Sequence, residues 1–130
     1  MISVTLLYAL VLVGLGLVLL FLVSAKRGQL NVSLDTGGDR GLTEAIRRHA
    51  NWVETVPVAL IMMMLVEMNG APKDWLHGLG TLLSIARVLH PFGLNQDNLM
   101  KPLRFVGMGG TLLATLGLCG IGVWQLASNG

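Results

Sequence analysis

Charge is what this chain has least of. Only 12% of its 130 residues are charged, about half the share of an ordinary soluble domain. Aromatic residues are also sparse, at 5%. There is no basic tail and no interleaving of aromatic with basic residues, so nucleic-acid binding has no footprint. The single cysteine, Cys119, lies in an apolar stretch, so it forms no intrachain disulfide and says nothing firm about redox compartment. The three histidines are scattered and no cysteine pair exists, which leaves no ligand set for a metal. A Ser-His-acid grouping, a glycine-rich phosphate loop and a hydrolase elbow are all missing. No internal repeat or low-complexity segment divides the chain, and its length suits one domain over residues 1–130.

What the chain has in quantity is apolar sequence, 53% of it, gathered into four runs. The first, residues 2–24, reads ISVTLLYALVLVGLGLVLLFLVS and carries no charge. At a rise of 1.5 Å per residue it spans a hydrocarbon core of about 30 Å. A cleaved signal peptide is the rival reading, but it calls for a positive residue before the apolar stretch. Here Lys26 and Arg27 come after it, which favours a retained helix. The second run covers residues 42–68, with Asp39 or Thr43 as a cap and Glu44 suited to the first turn. The third covers 73–91 and is the least hydrophobic. The fourth covers 99–126, with Asn98 as a possible cap and Pro102 in the first turn.

The expected fold is therefore all-α, a bundle of four transmembrane helices. Lys26, Arg27, Arg40, Arg47, Arg48, Arg87, Lys101 and Arg104 all belong to two loops or their flanking turns on one side, and only Lys73 lies on the other. The positive-inside rule then predicts cytoplasmic loops and both termini outside. Tyr8, Trp75 and Trp124 fall near the outer boundary and Trp52 near the inner one, as an aromatic belt requires. Gly107, Gly110, Ala114, Gly117 and Gly120 form a small-residue stripe for close helix packing.

Polar residues within the apolar runs are the functional candidates. Arg47, Asn51 and Glu54, spaced i, i+4 and i+7, share one stripe of the second helix. Glu54 is the deepest, and a carboxylate at that depth is costly unless it is paired or faces a polar cavity. The plain alternative is an intrahelical network with snorkelling arginines. Pro57 follows, where it removes a bond to the Val53 carbonyl. Arg87 and His90 share a face at the end of the third helix, and Arg104 lies one turn into the fourth. Headgroup anchoring accounts equally well for Arg87, and better for Arg104 taken alone. Contact with the last carbonyls accounts for His90. What raises them is company: arginines from three helices reach one membrane depth on one side, with only Glu54 to offset them. Such a cluster repels itself unless an anion fills it. The pattern points to a small, doubly anionic ligand.

The segments RRHANWVETVP, ARVLHPFG and KPLRFVG, in that order on helices two, three and four, resemble the MAPEG family, the membrane-associated proteins in eicosanoid and glutathione metabolism. The match runs from about Gly41 to Gly107, and the short bacterial branch is the most similar. The resemblance implies a homotrimer of four-helix subunits in a bacterial inner membrane, with glutathione as co-substrate bound between neighbours near the cytoplasmic face. It implies that Arg47, Asn51 and Glu54 hold the tripeptide, joined by Arg87 and His90, with Arg27 or Lys26 as a further anion contact. It assigns Arg104 the catalytic task of favouring the thiolate. The second substrate is then a hydrophobic small molecule or lipid reaching the site from the bilayer.

The departures from the family pattern bear on catalysis. Leu94 and Met108 stand where eicosanoid-making members carry tyrosines, and Phe105 stands where the prostaglandin-forming branch has a serine. Hydroxyl groups that orient the thiol are missing, which argues against prostaglandin or leukotriene synthesis. Three functions follow in order. The first is a glutathione transferase or peroxidase acting on hydrophobic electrophiles or lipid hydroperoxides. The second is a non-catalytic protein binding lipid or glutathione. The third is a small four-helix exporter, ranked last because the first helix has no ionisable carboxylate for proton coupling.

Overall fold

In lipid each backbone polar group has to be satisfied within the protein, and a helix does this within one segment. The computed structural model describes residues 2–95, 97 and 101–129, and all regular structure among them is α-helix. The elements are α1 (Ser3–Leu30), α2 (Arg40–Met68), α3 (Lys73–Gly93) and α4 (Pro102–Asn129). Helix α1 packs against α2 and α3, and α4 packs against α3 and α2, while α1 and α4 lie on opposite sides. The order around the bundle is therefore α1, α2, α4, α3. The α1–α2 and α3–α4 connections lie at one end, which holds most of the charge, and the short α2–α3 turn lies at the other.

Three of the helices, α1, α2 and α4, are long and apolar enough to cross a membrane. Helix α3 has 21 residues, about 30 Å, but falls short on composition because Lys73, Asp74, His77, Arg87 and His90 dilute it. It nonetheless runs beside α4 from end to end. Gly107 meets His90 and Ala86, Gly110 meets Ala86, and Gly117 meets Leu79. The closest approach is at Gly93, where a Cβ would fall on the Arg104 backbone. The small-residue stripe of α4 is thus a contact surface for α3 as far as Gly117. Gly120 drifts off it and faces open space, as expected when a straight helix of 3.6 residues per turn carries small residues at spacings of three and four.

Two apolar clusters fill the interior. Leu12, Val56, Ala59, Leu83 and Ala114 meet at mid-bundle, and Val4, Met63, Val66, Leu76, Leu118 and Ile121 meet toward the α2–α3 turn. Large apolar side chains also face outward, among them Leu10, Leu17 and Phe21 on α1 and Leu113 and Leu116 on α4. In a lipid solvent the inner clusters contribute by close packing rather than by exclusion of water.

Several helix limits differ from the sequence expectation, among them both ends of α4, which lies about three residues later than the expected 99–126. Helix α1 continues two turns past Val23, through Lys26 and Arg27, and ends where Asn31 takes a left-handed conformation. Lys and Arg are good helix formers, so leaving the apolar core does not end a helix. Helix α2 starts at Arg40 because the Asp39 side chain accepts from the Leu42 N–H at 2.6 Å. This puts Glu44 in the second turn, where it pairs with Arg40 and Arg48 instead of serving the helix dipole. Helix α3 passes through Pro91 to Gly93. Asn98, the expected cap of the fourth helix, lies outside the described residues, and α4 runs from Pro102 to Asn129.

Three side chains, Glu67, Trp52 and Tyr8, tie α1 to its neighbours by long-range hydrogen bonds. Glu67, in the last turn of α2, accepts from the Val4 and Thr5 N–H groups at 2.9 and 2.7 Å. It caps α1 in place of Ile2, which has no side-chain acceptor. Trp52 donates its indole N–H to the Leu12 carbonyl at 3.0 Å and lies over Gly16, where a Cβ would clash with the ring. That position is inside the bundle, not in the headgroup belt. A glycine on the facing helix gave the indole a flat seat and a carbonyl, so it did not need the interface. Tyr8 likewise turns to α3, with its hydroxyl 2.9 Å from the His77 carbonyl and from Thr81 Oγ1.

Candidate functional site

A cavity of about 230 Å³ opens at the charged end, lined by Thr43, Glu44, Arg47, Asn51, His90, Leu94, Asn95, Arg104 and Met108. Three helices and the start of the α3–α4 connection build it. Helix α2 supplies Arg47 and Asn51 from one stripe, because residues four apart stack on the same face. Helix α3 supplies His90 from its last turn, and α4 supplies Arg104 from its first. The glycines set the depth: Gly93 lets Arg104 approach α3, and Gly107 lets His90 lie flat against α4.

Arg87 sits beneath this cavity and does not line it. It is only 2% exposed. One terminal nitrogen donates to Asn51 Oδ1 at 2.7 Å and to Thr55 Oγ1 at 3.0 Å, and the other donates to the Gly107 carbonyl at 3.0 Å. The guanidinium thereby joins α2, α3 and α4 at the cavity floor. Its partners are neutral oxygens, and no carboxylate pairs with it among the described residues. A buried cation held by dipoles alone leaves a net positive field nearby.

Electrostatics at the rim are better balanced. Glu44 lies between Arg40 and Arg48, at 3.6 and 3.4 Å. Arg48 also donates through Nε and Nη2 to the Leu94 carbonyl, at 3.2 and 3.0 Å, which fastens the end of α3 to α2. Arg40 pairs with Asp97 in the α3–α4 connection. The Arg40 guanidinium holds the Asp97 carboxyl below its ordinary range. Glu44 and Asp97 are thus engaged by rim cations, while Arg47 and Arg104 line a shared space.

The structure brings together Arg47, Asn51, His90 and Arg104, and sets Arg87 one layer below. It does not bring in Glu54 or Arg27. Glu54 is exposed and lines an adjoining groove of about 190 Å³ with Thr55, Val58, Met108, Thr111, Leu112 and Thr115. Met108 forms the wall common to groove and cavity. The seven-residue offset from Arg47 is not quite two turns, so Glu54 rotates toward the α4 side and out of the bundle. Arg27 is held by its own loop, donating to the Val32 and Asp35 carbonyls at 3.5 and 2.9 Å. Leu94 and Met108 both lie on the cavity wall, and Phe105 is exposed beside it. Spacing alone did not single out Thr43, Thr55 or the Arg48 fastening. Thr55 lies four residues after Asn51, the one signal that would have found it.

Comparison with known proteins agrees with this architecture. The chain is 34% identical over 106 residues to the inner membrane protein YecN of Escherichia coli strain K12, which covers 82% of this chain and 79% of that one. The YecN protein of Escherichia coli O6:H1 matches to the same extent. No solved structure matches. The family model for MAPEG matches residues 5–124, nearly the whole helical bundle with every cavity-lining residue inside it, and the chain belongs to the MAPEG family of integral membrane proteins.

Proposed function

We propose that this protein binds glutathione in the arginine-lined cavity and uses its thiolate against hydrophobic electrophiles, as a membrane glutathione transferase or peroxidase. The observation that carries this is the convergence of Arg47, Asn51, His90 and Arg104, from three helices, on one cavity. Glutathione offers two carboxylates, an ammonium and a thiol. Arginine forks pair with carboxylates, and Glu54 is the acceptor available for the ammonium. A cavity of about 230 Å³ is smaller than the roughly 300–1,000 Å³ of most ligand sites. The tripeptide would therefore overrun its mouth toward the groove that holds Glu54. An exposed carboxylate at that depth calls for cover, and a homotrimer in which a neighbour closes the α2–α4 groove provides it. In that assembly all four helices cross the membrane. The charged loops are cytoplasmic, by the positive-inside rule. The inner membrane named for the relatives is the expected location.

Chemically, a thiol with pKa about 8.5 is mostly protonated at neutral pH. The Arg104 guanidinium, with the buried charge of Arg87 behind it, would favour the thiolate. Its sulfur attacks an electrophilic carbon, the C–S bond forms, and the leaving group departs with its electron pair. With a hydroperoxide, the sulfur takes the terminal oxygen and the O–O bond breaks to give an alcohol. A second glutathione then displaces water to form the disulfide. The groove lined by Val58, Met108 and Leu112 gives a lipid-dissolved substrate lateral access.

A second reading, a non-catalytic glutathione- or lipid-binding protein, is favoured by Leu94 and Met108. They put hydrocarbon on the wall where thiol-orienting hydroxyls are expected. The Thr43 hydroxyl, the nearest substitute, already donates to the Asp39 carbonyl at 2.9 Å.

Calorimetry on detergent-solubilised protein tests the proposal. Glutathione should bind, Arg47→Ala should weaken binding more than tenfold, and Arg104→Ala should lower conjugation rate more than affinity. Absence of glutathione binding removes the proposal. Binding without turnover over a broad electrophile and hydroperoxide panel leaves only the second reading.

A further inference from the structure

The amide of Asn51 has no freedom to reverse. A guanidinium donates and never accepts, so the group that Arg87 touches at 2.7 Å has to be the amide oxygen. A reversed amide would set N–H against N–H at the buried floor. The arginine is itself immobilised. It is 2% exposed, is fixed through Thr55 and Gly107, and sits on helices held close by Gly107 and Gly110. Thr55 returns its own proton to the Asn51 carbonyl at 2.8 Å, which leaves its oxygen to accept from Arg87. The two branches of a planar amide diverge by about 120°. With the oxygen engaged below, the nitrogen has to leave on the cavity side, where Asn51 forms part of the lining. Among the described residues no acceptor meets it.

We infer that Arg87 is a positioning residue that locks Asn51 with its amide nitrogen toward the cavity, so that the floor presents a fixed donor at this position and favours groups that accept there, carboxylates first. Arg87 itself touches no ligand. Arg47, Arg104 and the Asn51 amide together present a donor array, and the rim carboxylate of Glu44 is engaged by Arg40 and Arg48. A hydroxyl or amide end of a ligand would leave a donor unmatched at this floor, a mismatch that buried sites penalise heavily. This inference rests on the reading that the cavity receives glutathione carboxylates, and it separates from that reading by experiment.

The discriminating variant is Asn51→Asp. It keeps the contact with Arg87, now as an ion pair, but turns an anionic oxygen toward the cavity. We expect it to unfold at or above the wild-type temperature and yet to bind glutarate and glutathione at least tenfold more weakly. In wild-type protein the Asn51 side-chain amide resonance should move on titration with glutarate. In Arg87→Gln that response should be lost, because glutamine can offer either polarity and lets the amide reverse. Unchanged binding by Asn51→Asp overturns the inference, as does an Asn51 amide signal that ignores glutarate in the wild type. The amide titration decides the matter even if a variant fails to fold. Binding of glutarate but not glutathione would sink the functional reading and leave the inference standing. Binding of glutathione that is indifferent to Asn51→Asp does the reverse.

Discussion

The closeness of α3 and α4 under the cavity is open to a paired test with Gly107→Ala and Gly109→Ala. A Cβ at Gly107 would lie 2.6 Å from His90 Cβ, 2.7 Å from His90 Cα and 2.9 Å from the Ala86 carbonyl oxygen. Ordinary carbon contacts begin near 3.5 Å, so the helices have to part by roughly 1 Å. Two of those three neighbours are backbone atoms of α3, and none is the free end of a flexible side chain. Overpacking of this kind costs about 1–3 kcal/mol. A helical Gly→Ala change gains about 1 kcal/mol in propensity, so the net effect at position 107 is about 0–2 kcal/mol destabilising. Gly109 has nothing within 4 Å of its virtual Cβ and should show the propensity gain alone. The difference between the variants cancels propensity and reads the contact, about 1–3 kcal/mol. Reversible unfolding in mixed detergent micelles measures it. The Gly107 carbonyl also accepts from Arg87, so Gly107→Ala should weaken glutathione binding while Gly109→Ala leaves it unchanged. Equal stabilities within about 0.5 kcal/mol would refute the claim that glycine is needed for this approach, since surface-like substitutions fall within that range.

Glu67→Ala should destabilise the fold by about 0.5–2 kcal/mol, the cost of losing a helix cap, and amide exchange should rise at Val4 and Thr5 with little change elsewhere. Asp97 should titrate below its ordinary value of 3.8 and return to it in Arg40→Ala, as read by carboxyl NMR. The sign follows from the depressed value: the pair supports the α3–α4 connection above the unfolded pKa and is lost as pH falls through the folded one. Both side chains are exposed, so the effect should be confined to that connection and fade with salt. Met108→Ala should widen the passage between cavity and groove. In an active enzyme it should raise the rate for bulky electrophiles relative to small ones, and an unchanged ratio would show that Met108 does not partition the two spaces.

Helices α1, α2 and α4 were legible in the sequence because lipid imposes one constraint on a span, length of apolar sequence, while α3, which falls short of it, was read from its helical run and the Pro91 and Gly93 near its end. The limits that moved, among them Leu30, Arg40, Gly93 and both ends of α4, fall at helix ends, where apolar content gives no signal. Trp52 misled for a related reason. An indole suits a headgroup belt and a polar seat inside the bundle equally well, and the choice lay with Gly16 on another helix. At the site, Arg47 and Asn51 were readable as one stripe, and His90 and Arg104 by their place near helix ends. The layering was not readable. Arg87 and Arg47 look alike as intramembrane cations, yet one is a floor and the other a wall, because Arg87 finds oxygens of Asn51, Thr55 and Gly107 on two facing helices while Arg47 lines the cavity.

Spacing on a helix says which residues share a face, but not what that face meets. A membrane helix meets its own bundle on one side and lipid or another chain on the other, and both tolerate the same apolar residues. Glu54 lies at the edge between them. Its neighbours Thr55 and Asn51 turn inward to Arg87, while its own carboxylate looks out beside Thr111 and Thr115. A carboxylate left in lipid is costly. Three hydroxyls that already return protons to their own helix carbonyls have none to give it. Among the described residues no other donor meets it, and on the proposed reading the donor is a ligand ammonium or a group of a neighbouring subunit. Both sources place the second half of the site on the α2–α4 face, which makes that face the one on which substitutions should separate assembly from binding.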